Sequence, residues 1–351
     1  MIKSEAAARL RAEAANRILL TDGAFGTMIQ SYRLTEADYR DGLDLTHDQK
    51  GNNDMLALTR PHVVAEITEA YLAAGSDIVS TNTFNANTIS QADYGAEHLV
   101  RDMNLAAAQI ARDAARSFQA ADGRPRFVAG ALGPTNKTLS LSPDVNDPGY
   151  RAISFDELKA VYREQAEALL DGGVDFILIE TIFDTLNAKA GIMAVLETSI
   201  ARGAEVPLMI SFTITDMSGR NLSGHSIESF WASVRHARPL TIGLNCSFGA
   251  PQLRPSVSAL SPIADTLLMA YPNAGLPNDL GCYDETPETT AGFMRDWADE
   301  GLVNIVGGCC GTTPDHIRAM AQAIAGKAPR AVPAARTQTF LAGLDPMRIA
   351  A

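Results

Sequence analysis

One unit recurs along this chain and limits what it can fold into. A helical stretch ends at glycine, an acidic or amide residue follows, then a short apolar run, then a polar or glycine-rich turn. AAGSDIVSTNTF (73–84), DGGVDFILIETIF (171–183) and DEGLVNIVGGCCG (299–311) are three copies. The glycine suits the position just past a helix, where the backbone turns left-handed. The apolar run suits a parallel strand buried on both faces. Eight such runs are present, at 17–21, 77–80, 126–131, 175–179, 207–214, 240–245, 266–271 and 302–306. Helical patterns lie between most of them. Thr59 precedes a helix with Pro61 in its first turn, and Ser154 to Glu157 spell a capping box. Thr286-Pro287 and Thr313-Pro314 read as N-cap and first-turn pairs. Strands alternating with helices eight times predict a (β/α)8 TIM barrel, with a doubly wound open sheet as the rival.

The expected organisation is one barrel over 1–326 and an irregular, linker-like tail over 327–351, rich in Pro, Ala and Arg. The first twenty residues, MIKSEAAARLRAEAANRILL, read as a short charged helix without a signal peptide's apolar segment. Segments 30–54 and 134–153 are long and polar for βα loops, and loops of that length tend to be functional. The net charge of −12 argues against a nucleic-acid surface or an anionic membrane as partner. No apolar run approaches the ~20 residues that span a bilayer. The expected location is the cytosol, where the four cysteines, Cys246, Cys282, Cys309 and Cys310, are candidates for metal binding or catalysis rather than disulfides.

Active sites of such barrels form at the C-terminal ends of the strands. Here those ends read Asp22-Gly23, Asn82, Gly133-Pro134, Glu180-Thr181, Asn245-Cys246, Tyr271-Pro272-Asn273 and Gly308-Cys309-Cys310. The sixth and eighth strands lie about 10 Å apart, two spacings of ~4.8 Å, so Cys246 can meet Cys309 and Cys310. Gly307, Gly308 and Gly311 allow the backbone bend that turns both adjacent cysteines inward. Three thiolates at about 2.3 Å hold Zn²⁺ and leave one tetrahedral position open. The alternative is three unrelated buried thiols. An iron–sulfur cluster would want a fourth cysteine, and Cys282 sits in a polar turn, GCYDE, without a partner. No histidine pair has metal-ligand spacing, and no lysine stands at a strand end for aldolase-type chemistry.

Zinc with three thiolates is a poor activator of water but well suited to a substrate thiol, which it deprotonates. Asn273 is a candidate fourth ligand until substrate arrives. Asp22 and Glu180 are candidate anchors for a substrate ammonium, with an Asx turn as the rival role for Asp22. A charged Glu180 just past the run FILI needs a partner or a function. Asn82 and Asn245 are turn formers or substrate contacts. The backbone N–H groups of Gly23, Ala24 and Phe25 are candidates to hold a substrate carboxylate.

These residues carry a family resemblance. TDGAFGTMIQ (21–30), KGNNDML (50–56), DIVSTNTFNAN (77–87), GALGPTNKTLSLSPDVNDPGYRAISFDEL (130–158) and ILIETIFDTLNAKA (177–190) belong to it. So do GLNCSFGA (243–250), YPNAGLPN (271–278) and VGGCCGTTPDHI (306–317). Together they resemble the homocysteine-binding module of cobalamin-dependent methionine synthase, within the wider homocysteine S-methyltransferase family. The resemblance implies a (β/α)8 barrel that makes methionine. It matches Cys246, Cys309 and Cys310 to the zinc ligands, Asp22 and Glu180 to the amino-acid end of homocysteine, and Asn273 to the loop over the zinc. The chain stops after LAGLDPMRI and has no Asp-x-His-x-x-Gly cobalamin signature; His316 lies in PDHIR. The expectation is therefore a split methionine synthase served by methylcobalamin on a separate corrinoid or folate-module protein, or an excised piece of a longer chain. A stand-alone enzyme using S-methylmethionine or betaine is the alternative, against which the 134–153 loop argues. A non-catalytic homocysteine- or zinc-binding subunit is the alternative of another class.

Overall fold

Eight parallel strands form where the apolar runs predict them: β1 (Leu19–Leu20), β2 (Ile78–Ser80), β3 (Phe127–Leu132), β4 (Phe176–Ile182), β5 (Leu208–Phe212), β6 (Thr241–Gly249), β7 (Leu267–Asn273) and β8 (Ile305–Val306). The structure, a computed structural model, describes residues 1–335 and 338–349. The sheet order is β1-β8-β7-β6-β5-β4-β3-β2, every neighbouring pair parallel. The open-sheet rival falls because the first strand pairs with the last.

The remaining seam, between β1 and β2, is closed largely by carboxylates. The Asp77 N–H donates to the Leu20 carbonyl at 2.7 Å, and the Leu20 N–H donates to Asp77 Oδ2 at 2.9 Å. One turn along, the Ser80 N–H donates to Asp22 Oδ2 at 2.7 Å. Two aspartates thus satisfy strand amides that would otherwise be orphaned inside the protein.

Successive strand residues alternate between two cores, as the period of two requires. One side chain set, including Leu20, Val79, Val128, Ile177, Ile210, Ile242 and Leu268, packs outward against the helices. The other, including Leu19, Ile78, Phe127, Phe176, Met209, Leu267 and Ile305, fills the barrel. The N-terminal helix Glu5–Ala14 adds Ala7, Leu10 and Ala14 to that inner set, so it plugs the lower end of the barrel. Gly243 leaves no room for a side chain between β6 and β7: a Cβ there would lie 1.9 Å from the Met269 carbonyl oxygen.

The helix signals are largely realised. Ser154 and Glu157 form the reciprocal box that starts helix Phe155–Asp171. Thr286 caps Pro287–Asp299, and Thr313 caps Pro314–Ile324 in a box completed by His316. Thr59 precedes the helix Pro61–Ala74, with Pro61 in its first turn as expected; it also ends the short helix Leu56–Thr59, and Arg60 stands at the N-cap between them. Segment 30–54 contains a helix, Glu36–Arg40. Segment 134–153 has no helix or strand and is held by side chains instead. Asp184 receives the Ser140 N–H and hydroxyl, and Asn187 receives the Leu139 N–H.

The tail differs from the irregular expectation. Phe340–Ala342 (β9) and Pro346–Arg348 (β10) form an antiparallel hairpin. It docks through the Arg220–Asp345 ion pair at 2.8 Å and through the Ser226 N–H on the Leu344 carbonyl at 3.0 Å. Ahead of it, buried Arg330 donates to the carbonyls of Ser261, Ala264 and Thr266, strapping the tail across the lower end. Among the described residues no helix is long and apolar enough to cross a membrane.

Candidate metal and substrate site

At the upper end of the barrel, β6 departs from regular strand geometry to aim one cysteine. Its register with β7 shifts between Asn245 and Gly249, and Cys246 and Ser247 take φ of 61° and 60°. Left-handed backbone costs a side-chain-bearing residue about 1 kcal/mol or more, so something must hold it. Fully buried Asn245 does. Its Oδ1 accepts from Ser211 Oγ at 2.6 Å and from the Thr181 N–H at 3.2 Å. Its Nδ2 donates to Thr181 Oγ1 at 2.8 Å and points at Cys309 Sγ, 3.9 Å away. Its carbonyl accepts from Thr213 Oγ1 at 3.0 Å. Asn245 is thus a scaffold between β4, β5 and the thiols.

The turn after β8 carries the other two cysteines. Only one of its glycines supplies a left-handed bend, Gly311 at φ 81°. Gly307 and Gly308 are needed for space instead. A Cβ on Gly307 would lie 2.2 Å from Thr21 Cγ2, and one on Gly308 2.4 Å from Thr312 Cγ2. The turn is tied to β7: the Cys309 N–H donates to the Pro272 carbonyl at 2.8 Å, and the Cys310 N–H to Asn273 Oδ1 at 3.1 Å. Asn273, read from the sequence as a possible metal ligand, has its side-chain oxygen engaged by that amide here.

The three sulfurs of Cys246, Cys309 and Cys310 all lie within 4.8 Å of one another, and the Cys246–Cys310 separation is 4.0 Å. Thiolates about 2.3 Å from a tetrahedral centre sit about 3.8 Å apart, so the set fits zinc with little movement. Hydrogen bonds from Cys246 and Cys309 hold the Cys310 thiol down to about 3, well below its ordinary range. Cys309 is pushed the opposite way, by Cys246, by Cys310 and by burial. Cys282 is exposed and stands outside the cluster, as its polar turn predicts.

Two carboxyls share the mouth with the thiols. Asp22 is buried; besides Ser80 N–H its Oδ2 accepts from Ser80 Oγ at 2.8 Å, and its Oδ1 accepts from Thr21 Oγ1 at 3.1 Å. Burial pushes it up to about 6, against the pull of those hydroxyl and amide donors. Glu180 opens to the mouth but is walled by protein, and its Oε2 accepts from Tyr271 Oη at 3.1 Å. Burial pushes Glu180 up to about 7; the Tyr271 hydrogen bond pulls down, and the negative charges of Asp22 and Cys310 push up. The two acids and the thiol cluster therefore sense one another. Among the described residues neither acid is ion-paired, and no basic side chain is among the main influences on either.

The remaining sequence candidates play supporting parts. Gly23 is a close-approach position, where a Cβ would meet Thr312 Oγ1 at 2.7 Å and the Tyr71 ring at 2.8 Å. The Ala24 N–H donates to Thr312 Oγ1 at 3.3 Å, so of the Gly23, Ala24 and Phe25 amides this one is engaged. Phe25 opens the helix Phe25–Ser31 and stacks edge-on against Tyr71, with ring centroids 6.3 Å apart. Asn82 directs its Nδ2 to the Asn53 carbonyl at 2.7 Å, pinning the 50–56 segment. Sequence reasoning passed over Ser80, and it marked Thr181 and Tyr271 at strand ends without giving them a role. Tyr271 stands two residues before Asn273 on the same strand, a spacing that places both on one face and could have suggested one.

The comparisons agree with this arrangement. The homocysteine S-methyltransferase family model matches residues 19–324. Among solved structures, the metallated form of the homocysteine methyltransferase MmuM from Escherichia coli is 22% identical with a TM-score of 0.69, over 89% of this chain and 98% of that one. Its oxidized form is 22% identical with a TM-score of 0.68, over 87% and 95%. Its apo form is 20% identical with a TM-score of 0.64, over 90% and 99%. At such identities the likeness speaks for the fold, whereas the family match runs from β1 to the end of the last barrel helix. The chain belongs to the homocysteine S-methyltransferase family.

Proposed function

We propose that this protein is a zinc-dependent homocysteine S-methyltransferase that forms methionine, with Cys246, Cys309 and Cys310 as the metal ligands. The observation that carries this reading is the cluster of three sulfurs within 4.8 Å of one another beside two acids without an ion-pair partner among the described residues. Three soft donors at tetrahedral spacing suit zinc above other divalent ions and leave one position for a fourth sulfur. Bound there, zinc supplies the positive charge that keeps the homocysteine thiol deprotonated at neutral pH.

The chain's own residues then do the following. Asp22 and Glu180 receive the homocysteine ammonium, whose charge relieves the repulsion between them. Ser80 fixes one carboxylate and the Tyr271 hydroxyl orients the other. The amides of Gly23 and Phe25 face the amino-acid carboxylate. Asn245 keeps Cys246 aimed at the cluster. Asn273, to serve as a fourth ligand before substrate binds, must release the Cys310 amide. The substrate sulfur then forms a bond to the methyl carbon while the donor keeps the electron pair of the bond that breaks.

For the donor we favour methylcobalamin carried by a separate corrinoid protein, as in a split methionine synthase. Exposed apolar side chains on the loops at this end of the barrel support this. Val145, Leu280 and Met217 are 92%, 88% and 76% exposed on loops after β3, β7 and β5, and Phe84, Tyr150 and Leu222 stand out beside them. Exposed apolar side chains gathered on one face mark a docking surface; a small donor needs none. Free thiols also suit a reducing, cytosolic setting.

The test is methionine formation by the zinc-loaded chain from homocysteine with methylcobalamin, S-methylmethionine or betaine. Turnover with methylcobalamin is expected. Turnover only with S-methylmethionine or betaine would replace the corrinoid reading with a small-donor enzyme. Stoichiometric zinc without turnover from any donor would leave a binding subunit.

A further inference from the structure

The loop that follows β1 and the turn that follows β8 are laced together by three rungs. The Gly308 N–H donates to the Asp22 carbonyl at 3.1 Å, the Ala24 N–H to Thr312 Oγ1 at 3.3 Å, and the Gly311 N–H to Thr27 Oγ1 at 2.9 Å. One side of the lacing carries Asp22, and the other carries Cys309 and Cys310.

Thr312 is the junction between the two, and it is fully buried. Its hydroxyl accepts from the Ala24 N–H and donates to the Cys309 carbonyl at 2.6 Å, and its own N–H donates to that carbonyl at 3.0 Å. A single side chain thus relays from the first loop into the cysteine turn. Two glycines make its seat: a Cβ on Gly23 would lie 2.7 Å from Thr312 Oγ1, and one on Gly308 2.6 Å from Thr312 Cβ. Buried Tyr71, from helix Pro61–Ala74, closes the junction. Its hydroxyl donates to the Ala24 carbonyl at 3.0 Å and lies 3.2 Å from the Thr312 carbonyl. A close-packed interior passes displacement on rather than absorbing it. The junction therefore governs how far the Asp22 carboxylate stands from the cysteine sulfurs.

Homocysteine has to reach from its ammonium at Asp22 and Glu180 to its sulfur at the cluster, so this separation measures chain length. Cysteine has the same two ends and one methylene fewer between them. A methylene is worth roughly 10- to 200-fold in a site that tests for it, and a misplacement of about 1 Å can cost on the order of 100-fold. We propose that Thr312 is a positioning residue that sets the distance between the ammonium anchors and the thiol cluster, and so selects homocysteine over cysteine without touching either. The inference rests on the reading that Asp22, Glu180 and the three cysteines form a homocysteine site.

The measurement is the dissociation constant of homocysteine and of cysteine for the zinc-loaded chain, taken from the heat of binding, with zinc content and melting temperature determined on the same samples. Thr312→Val keeps the branched shape against Gly308 and loses only the hydroxyl. It is expected to retain stoichiometric zinc and to narrow the preference for homocysteine over cysteine about 10-fold. Thr312→Ser keeps the hydroxyl and loses the methyl, and is expected to melt lower while holding the parent's preference. Tyr71→Phe frees the Ala24 carbonyl and leaves Thr312 in place. It is expected to narrow the preference about threefold, and it decides the matter if the valine variant does not fold. If the deciding variant weakens both thiols equally and leaves the preference at the parent's value, Thr312 is packing alone and the proposal fails. A parent chain that binds zinc but no homocysteine overturns the reading of the site, and this proposal with it.

Discussion

The two ends of the barrel treat buried charge in opposite ways. At the lower end Asp77, 1% exposed, meets Arg17 at 2.8 Å and Arg124 at 3.1 Å and also receives a β1 amide. Asp175 meets Arg112 at 2.7 Å there as well. At the upper end Asp22 is buried and Glu180 half-buried, yet among the described residues their donors are hydroxyls and amides. Raising a carboxyl from 3.8 to about 6 by burial corresponds to a cost on the order of 3 kcal/mol for its charged form. A fold gains nothing from carrying that cost. The lower acids hold strands together; on the proposed function, the upper acids are kept short of a cation that the homocysteine ammonium brings. Charge left uncompensated, rather than charge as such, separates site from scaffold.

The comparison is most sharply tested at the thiols. Cys309→Ala is expected to lose stoichiometric zinc and to lower methyl transfer about 10³-fold or more. Retention of both zinc and turnover would remove the metal site. Next, Glu180→Gln is expected to raise KM for homocysteine about 30-fold, the loss of a buried charge partner worth ~2 kcal/mol. Its stability should move the other way. Glu180 has a folded value of about 7 against an ordinary 4.5, so its contribution to stability is full in acid and lost as pH rises through 7. The glutamine variant should therefore melt higher than the parent at pH 8 and equal to it near pH 4.

Asp77→Asn is the matched change at the lower end. It is expected to destabilise the fold by about 2 kcal/mol in denaturant titration, with KM for homocysteine unchanged. An effect on KM comparable to that of Glu180→Gln would erase the distinction between the ends. A gentler test is the pH profile. Homocysteine binding should weaken severalfold as pH falls through 7 and then 6, as Glu180 and Asp22 take up protons. Glu180→Gln should lose the upper part of that limb. The smallest effect is expected at exposed Cys282: Cys282→Ser should leave zinc content intact and stability within about 0.5 kcal/mol of the parent.

Much of the fold was legible because each βα unit repeats the same local chemistry. Each of the eight apolar runs overlaps a strand; β3, β4, β6 and β7 run past the end of theirs, and β1 and β8 shrink to two residues each. The hairpin at 340–348 gave no periodic signal, since each of its strands has three residues and takes its place from Arg220 and Ser226, over a hundred positions earlier. In the site, the thiols were readable because cysteine is rare and its chemistry narrow. The roles of Ser80 and Tyr271 were not, because a serine or tyrosine is ordinary anywhere and acquires meaning only from what closure places opposite it. The glycines around Cys309 were read as a bend, whereas two of the three serve close packing, a property of neighbours the sequence does not place side by side.

The seam between the first two strands has a mechanical consequence. Where the other strand pairs share a ladder of backbone bonds, this one is latched by two side chains, and Asp22 is both a latch and a proposed contact of substrate. An ammonium drawing on Asp22 changes the hydrogen bonds it accepts from Ser80, so occupancy of the mouth is felt as stiffness in the wall. Amide exchange at Ser80 should then slow or quicken on addition of homocysteine while the β6–β7 ladder stays indifferent, making the wall of this barrel a gauge of whether its mouth is filled.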